Sequence, residues 1–179
     1  MFTIISLWRN KLANRLTTKF VLVATALLLG SASVSADVTC RTVNGHFDIN
    51  PVENCPSPFG VCGQGTFLGG ILGDYFSPFT SIIIPTDIYP TADPGPGVVL
   101  YTADVSVPNA QVGDWTGSLE LKEGGAFHTA GNGEFSALFS AAGGTGSFAN
   151  ANGILSVTGM IDLATGVGQG VYSGQICTQ

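Results

Sequence analysis

Gly144-Thr145-Gly146-Ser147-Phe148-Ala149 fits the spacing G-x-G-x-x-G/A. In dinucleotide-binding folds that spacing joins a parallel strand to a helix whose N-terminus faces the pyrophosphate. Here the chain continues as Ile154-Leu155-Ser156-Val157-Thr158-Gly159-Met160, which alternates like a strand. With no helix to receive a phosphate, the reading is that Gly144, Gly146 and Gly153 turn the chain, and no cofactor is expected.

His128 is the next residue that could do chemistry. It lies in Gly125-Ala-Phe-His-Thr-Ala-Gly-Asn-Gly-Glu-Phe135. Asn132-Gly133 is a strong signal for a two-residue primed turn. That turn would set Gly131 opposite Glu134, Ala130 opposite Phe135, and His128 opposite Ala137. Side chains alternate along strands, so His128 would share an inward apolar face with Phe135 and Phe139, with Glu134 and Ser136 on the other face. The assignment depends on register, because a three-residue loop would reverse one strand. An inward histidine could act as acid, base or orienting donor, or be a core histidine bonded to a carbonyl.

In Val98-Val-Leu-Tyr-Thr-Ala-Asp-Val-Ser-Val-Pro108, Tyr101 and Asp104 have opposite parity. Tyr101 shares its face with Val99 and Val105, and is the better candidate to line a pocket. Glu120, between Leu119 and Leu121, is expected to face solvent. His46 reads as an ordinary strand residue, and Trp115 either closes a barrel end or marks a contact surface. There is no Gly-x-Ser-x-Gly nucleophile motif. The carboxylates are scattered without calcium-loop spacing, and no metal site is expected.

These residues need elements to hold them, and the leading segment is not one. Residues 1–19 carry Arg9, Lys11, Arg15 and Lys19 and no acidic residue, and an apolar run from Phe20 to Gly30 and the small residues up to Ala36 follow. That pattern reads as a secretory signal peptide over 1–36, too short in its apolar part to span a bilayer. The expected mature chain, 37–179, is one domain with no membrane span, secreted or periplasmic. It keeps only Arg41 and Lys122 against twelve acidic residues, a formal charge of −10. Such a chain repels nucleic-acid backbones and anionic membranes. Its four cysteines, Cys40, Cys55, Cys62 and Cys177, imply two disulfides in an oxidising compartment. Three pairings exist; the favoured one is Cys55–Cys62 as a local clip and Cys40–Cys177 joining the domain ends.

Beyond the leader no apolar pattern has helical period. Strand-like runs lie near 41–48, 64–73, 79–84, 98–107, 115–121, 125–130, 134–140, 154–163 and 167–177. Thr86 to Gly97 is too rich in Pro and Gly to pair in a sheet and should be an exposed loop. Dense glycine with nearby aromatics suits a coiled, closing sheet. The fold expected is all-β: a small closed antiparallel β-barrel of about eight strands, disulfide-stabilised, with a β-sandwich as the alternative.

The stretch Gly143-Gly-Thr-Gly-Ser-Phe148 followed by Gly153 resembles the signature of the allene oxide cyclase and dirigent proteins, which are eight-stranded barrels. The rest of the domain is similar to secreted, uncharacterised bacterial proteins of that barrel type, through Cys55–Phe67, Gly125–Phe135 and Asp162–Gly166. The resemblance implies the fold; no motif matches the acidic catalytic positions of the plant proteins, so no catalytic residue carries over. The function expected is binding of a small apolar or aromatic molecule in the barrel, with His128, Tyr101, Phe135 and Phe139 as pocket residues. An isomerase or cyclase acting on such a molecule, with His128 as the candidate catalytic group, is the alternative. A structural or surface-interaction protein with a filled barrel is a third reading, and homo-oligomers are compatible with all three.

Overall fold

Eight antiparallel strands follow one another around a closed ring, each paired with its sequence neighbours and the last with the first. They are β1 (Thr39–Pro51), β2 (Cys62–Gly69), β3 (Gly73–Ile83), β4 (Val98–Val112), β5 (Trp115–His128), β6 (Glu134–Gly144), β7 (Asn152–Ile161) and β8 (Gly168–Thr178). The structure, a computed structural model, describes residues 37–84, 97–129 and 133–179. The expected signal peptide, most of the loop read over 86–97 and the Asn132 turn position lie outside the described residues. No helix among the described residues is long and apolar enough to cross a membrane.

Period-two alternation decides which residues enter the barrel. On β6, Phe135, Ala137, Phe139 and Ala141 are buried while Glu134, Ser136, Leu138 and Ser140 are exposed. On β4, Val99, Tyr101, Ala103, Val105 and Val107 point in. Closure removes both sheet edges, through an unbroken β1–β8 register from Thr39↔Thr178 to Ile49↔Gly168.

One end of the barrel is filled. Phe67, Ile71, Val112, Leu119, Phe148 and Ile176 are fully or almost fully buried there. The Tyr172 hydroxyl accepts a hydrogen bond from the Ile71 N–H at 2.7 Å, joining β8 to the β2–β3 turn. Trp115 lies against Phe148 with ring centroids 6.4 Å apart, and the Arg41 guanidinium sits 4.3 Å over its ring while pairing with Asp114. Trp115 is therefore part of this closed end.

The glycine stretch belongs to the same end. Gly146–Phe148 forms a single 3-10 turn, and the Thr145 N–H donates to the Ser118 carbonyl at 3.0 Å. Gly144 and Gly146 have φ of 151° and 58°, and a Cβ on Gly144 would collide with the Ser118 carbonyl oxygen of β5. The motif lets two backbones touch; it is not followed by a helix. Gly153, with φ 143°, makes a similar close approach to Gln175 on β8.

Two sequence expectations about elements are corrected. The runs 115–121 and 125–130 form one strand, β5, so the barrel has eight strands rather than nine runs. Gly124 and Gly125 lie inside it and pair with Leu138 and Ala137. The hairpin register also differs. Phe127 pairs with Phe135 and Gly125 with Ala137, three residues from the pairing that an Asn132-Gly133 two-residue turn would set. An odd shift exchanges the two faces of one strand. The observed register turns Phe127 inward beside Phe135 and leaves His128 exposed on the outer face, paired with Val98. Fully burying such a side chain is worth roughly 1.5–3 kcal/mol and the half-buried Phe127 gains part of that, whereas burying a histidine requires a polar partner, so the packing favours this register.

Candidate functional site

At the other end the described residues line a cavity of about 390 Å³. That volume falls within the range of small-molecule sites. Its walls come from the C-terminal ends of β1, β3, β5 and β7 and the N-terminal ends of the strands between them, which antiparallel order brings to one rim. Cys62 of the Cys55–Cys62 disulfide contributes to the rim. So does the β7–β8 turn, where the Asp162 carboxylate accepts from the Ala164 N–H at 2.8 Å. That bond holds the Asp162 carboxyl below the usual carboxylate range.

The lining is strongly aromatic: Phe47, Tyr75, Phe79, Tyr101, Phe127, Phe135 and Phe139 all face it. Phe79 and Tyr101 are stacked, with centroids 4.6 Å apart and planes 8° from parallel. Phe127 tilts against Tyr101 with centroids 5.8 Å apart. Rings so placed leave few polar atoms toward the cavity.

One carboxyl group interrupts this apolar wall. Glu123 continues the inward parity of Leu119 and Leu121 on β5, between Ala103 of β4 and Phe139 of β6. The Tyr101 hydroxyl donates to Glu123 Oε1 at 2.6 Å, and the Ser77 hydroxyl to Oε2 at 3.3 Å. Ser77 and Tyr101 are themselves buried, at 4% and 6% exposure, so both donors are fixed by packing. Gly125, two residues along β5, makes room for this arrangement, since a Cβ there would stand 2.8 Å from the Tyr101 hydroxyl.

Burial pushes the Glu123 carboxyl up to about 7, against the lowering effect of the hydrogen bonds from Tyr101 and Ser77. Desolvation outweighs the two donors because neither carries charge. Burial, reinforced by the neighbouring Glu123, likewise pushes the Tyr101 phenol far upward, so it remains a donor at every physiological pH. Tyr75, whose hydroxyl donates to the Asp48 carbonyl at 2.9 Å, is raised by the same causes. The site thus offers one acid–base group near neutrality, held by two neutral hydroxyl donors, in an apolar chamber.

Of the residues singled out in the sequence, Tyr101, Phe135 and Phe139 line the cavity, and His128 does not. His128 and His46 both lie on the outer wall. Asp104 faces outward and pairs with Lys122 at 2.8 Å, and Glu120 accepts from Ser106 on the same outer surface. The disulfides are Cys40–Cys177 and Cys55–Cys62. Among the described residues no group of three or more His, Cys, Asp or Glu gathers to hold a metal ion. Glu123, the polar centre of the site, is the residue that sequence reasoning missed. Its signal was the alternation Leu119-x-Leu121-x-Glu123-x-Gly125-x-Phe127, hidden by reading Gly124-Gly125 as a break.

Fold and site together define a closed eight-stranded β-barrel with a filled end and an aromatic, carboxyl-bearing cavity at the other. Compared with known proteins, the chain finds no matching family model, curated protein or solved structure.

Proposed function

We propose that this protein binds a small apolar or aromatic molecule in the cavity of its barrel, outside the cytoplasm. The observation that carries the reading is the 390 Å³ cavity, whose lining includes seven aromatic rings and, among the described residues, a single carboxyl. A barrel serving only as a surface-interaction scaffold has no need of such a chamber, since eight-stranded barrels can be filled by their own side chains. The two disulfides and the signal-like leader support an extracytoplasmic setting. The resemblance to allene oxide cyclase and dirigent barrels supports the same placement of a ligand inside the ring.

The test is titration with the neutral fluorescent probe N-phenyl-1-naphthylamine, followed by fluorescence and by NMR of the aromatic rings. Saturable one-to-one binding should shift the ring signals of Phe79, Tyr101 and Phe127 and leave those of Trp115 and Phe148 unmoved. Binding that perturbs only residues of the outer wall would overturn the reading, and so would no binding at all.

A second reading, an isomerase or cyclase, is favoured by one feature: the Glu123 carboxyl sits near neutrality beside the fixed Tyr101 donor. A carboxyl so poised can take a proton from a bound carbon acid and return it to another position, typically worth 10²- to 10⁴-fold in rate. Under that reading Glu123→Gln retains binding and loses turnover by that factor, whereas a carrier loses nothing but ligand selectivity.

A further inference from the structure

We propose that the cavity is built for an organic ammonium ion: an aliphatic or aromatic body that fills the aromatic chamber and a protonated amine that pairs with Glu123. The inference rests on the cavity being a ligand site and adds the chemical class of the ligand. The first ground is that the domain supplies Glu123 with no cation. From Asp37 onward the chain holds two Lys or Arg residues, Arg41 and Lys122. Arg41 is held at the filled end by Asp114, Trp115 and the Val112 carbonyl. Lys122 is on the outer wall with Asp104. Among the described residues the groups that face Glu123 are the Ser77 and Tyr101 hydroxyls, with Tyr75 further round the wall, and all are neutral.

A carboxylate half-buried among apolar walls, as Glu123 is, is costly unless it is paired. Here the pair must be a proton or a charge that arrives from outside. The second ground is what surrounds it. Ring faces attract cations when a charge lies within about 6 Å of the centroid, most strongly when it is desolvated. Phe79, Tyr101 and Phe127 form a contiguous ring cluster on the strands either side of Glu123's hydrogen-bonded donor. A carboxylate set among aromatic rings recognises an ammonium by charge and rejects a metal ion, which would require several oxygen ligands. The third ground is the field of the whole domain. Its formal charge of −10 concentrates cations at the surface and repels anionic ligands from the mouth.

The pH behaviour follows from the same contacts. Below about 7 Glu123 holds a proton and the ammonium must displace it, so binding releases a proton. Above that pH the carboxylate is already ionised and affinity levels off, until the amine itself loses its charge.

The experiment is calorimetric titration of the oxidised domain with phenylalkylammonium ions of two to six methylenes, each against the neutral alcohol of the same shape. At pH 8 the ammonium should bind at least tenfold tighter than its alcohol. Glu123→Gln should erase that preference while keeping alcohol binding. At pH 6 the heat of ammonium binding should depend on the buffer's ionisation enthalpy, reporting proton release. If the alcohols bind as tightly as the ammonium ions in the unaltered protein, the ammonium proposal falls and the apolar-ligand reading stands. If the preference survives in Glu123→Gln, the charge is recognised elsewhere and the proposal falls. If neither series binds, both readings fall together.

Discussion

Glu123 gives the folded protein a pH signature of its own. In the barrel its carboxyl keeps a proton up to about 7, while in the unfolded chain it releases it near 4.5. The folded state therefore binds more protons between those values, and stability must fall as pH rises from about 4.5 to about 7, then level off. The loss amounts to roughly 3 kcal/mol at most. Asp114, beside Arg41, and Asp162 have the opposite sign, and their contributions are lost only as pH falls below the usual carboxylate range. Glu123→Gln should remove the slope between pH 4.5 and 7 and make the protein more stable than wild type at pH 8, with little change at pH 4. Urea denaturation at a series of pH values measures this, and an unchanged slope in the variant would place Glu123 in water. His128 marks the contrast. It stands exposed on the outer wall, so His128→Ala should change stability by no more than about 0.5 kcal/mol and leave probe binding in the cavity intact.

Glycine acts at the level of the strand in two different ways, and only one was legible in the sequence. In Gly143–Gly153 the failure of any helical pattern after the motif pointed correctly to a bend between strands, because alternation in Ile154–Met160 is a local property. In β5 the pair Gly124-Gly125 looks like a break by composition, but the strand runs through it. The reason is non-local: β4 and β6 supply partners on both sides, and Gly125 is small because Tyr101 and Ala137 crowd it. The same non-local packing chose the register of the β5–β6 hairpin, where inward Phe127 outweighed the turn preference of Asn132-Gly133. Composition and parity were therefore enough for strands, ring closure and Tyr101, but not for Glu123, whose inward direction depends on an uninterrupted β5. The bend can be tested directly. Gly146 has φ 58° and sits against the Thr116 carbonyl, so Gly146→Ala should cost about 1–3 kcal/mol in thermal or urea unfolding. No nucleotide should bind saturably to either form; dinucleotide binding to the wild type that is lost in the variant would reverse the assignment.

The whole barrel divides its two crosslinks between its two ends, and this separates stability from binding. Cys40–Cys177 joins the first strand to the last at the filled end, across 137 residues of sequence. Cys55–Cys62 spans 7 residues and sits at the rim of the cavity. In the chain-entropy description a crosslink acts by restricting the unfolded chain, so the long loop contributes about 5 kcal/mol and the short one about 2.4. Their effects on a ligand should be ranked the other way. Removing the long bridge leaves an antiparallel β1–β8 ladder of eleven residue pairs, which still closes the ring and holds the cavity walls in place. Removing the short one frees the segment that carries Val61, Cys62 and Gly63 into the cavity rim. The paired variants Cys40→Ala with Cys177→Ala should thus lose most of the stability and retain probe affinity under conditions where they remain folded. Cys55→Ala with Cys62→Ala should lose about half as much stability and bind the probe several-fold more weakly. Urea denaturation and probe titration on the same two proteins measure the crossing. If the long-bridge variant were the one to lose affinity, the rim would not be what shapes the cavity, and ligand recognition would have to depend on closure of the ring as a whole.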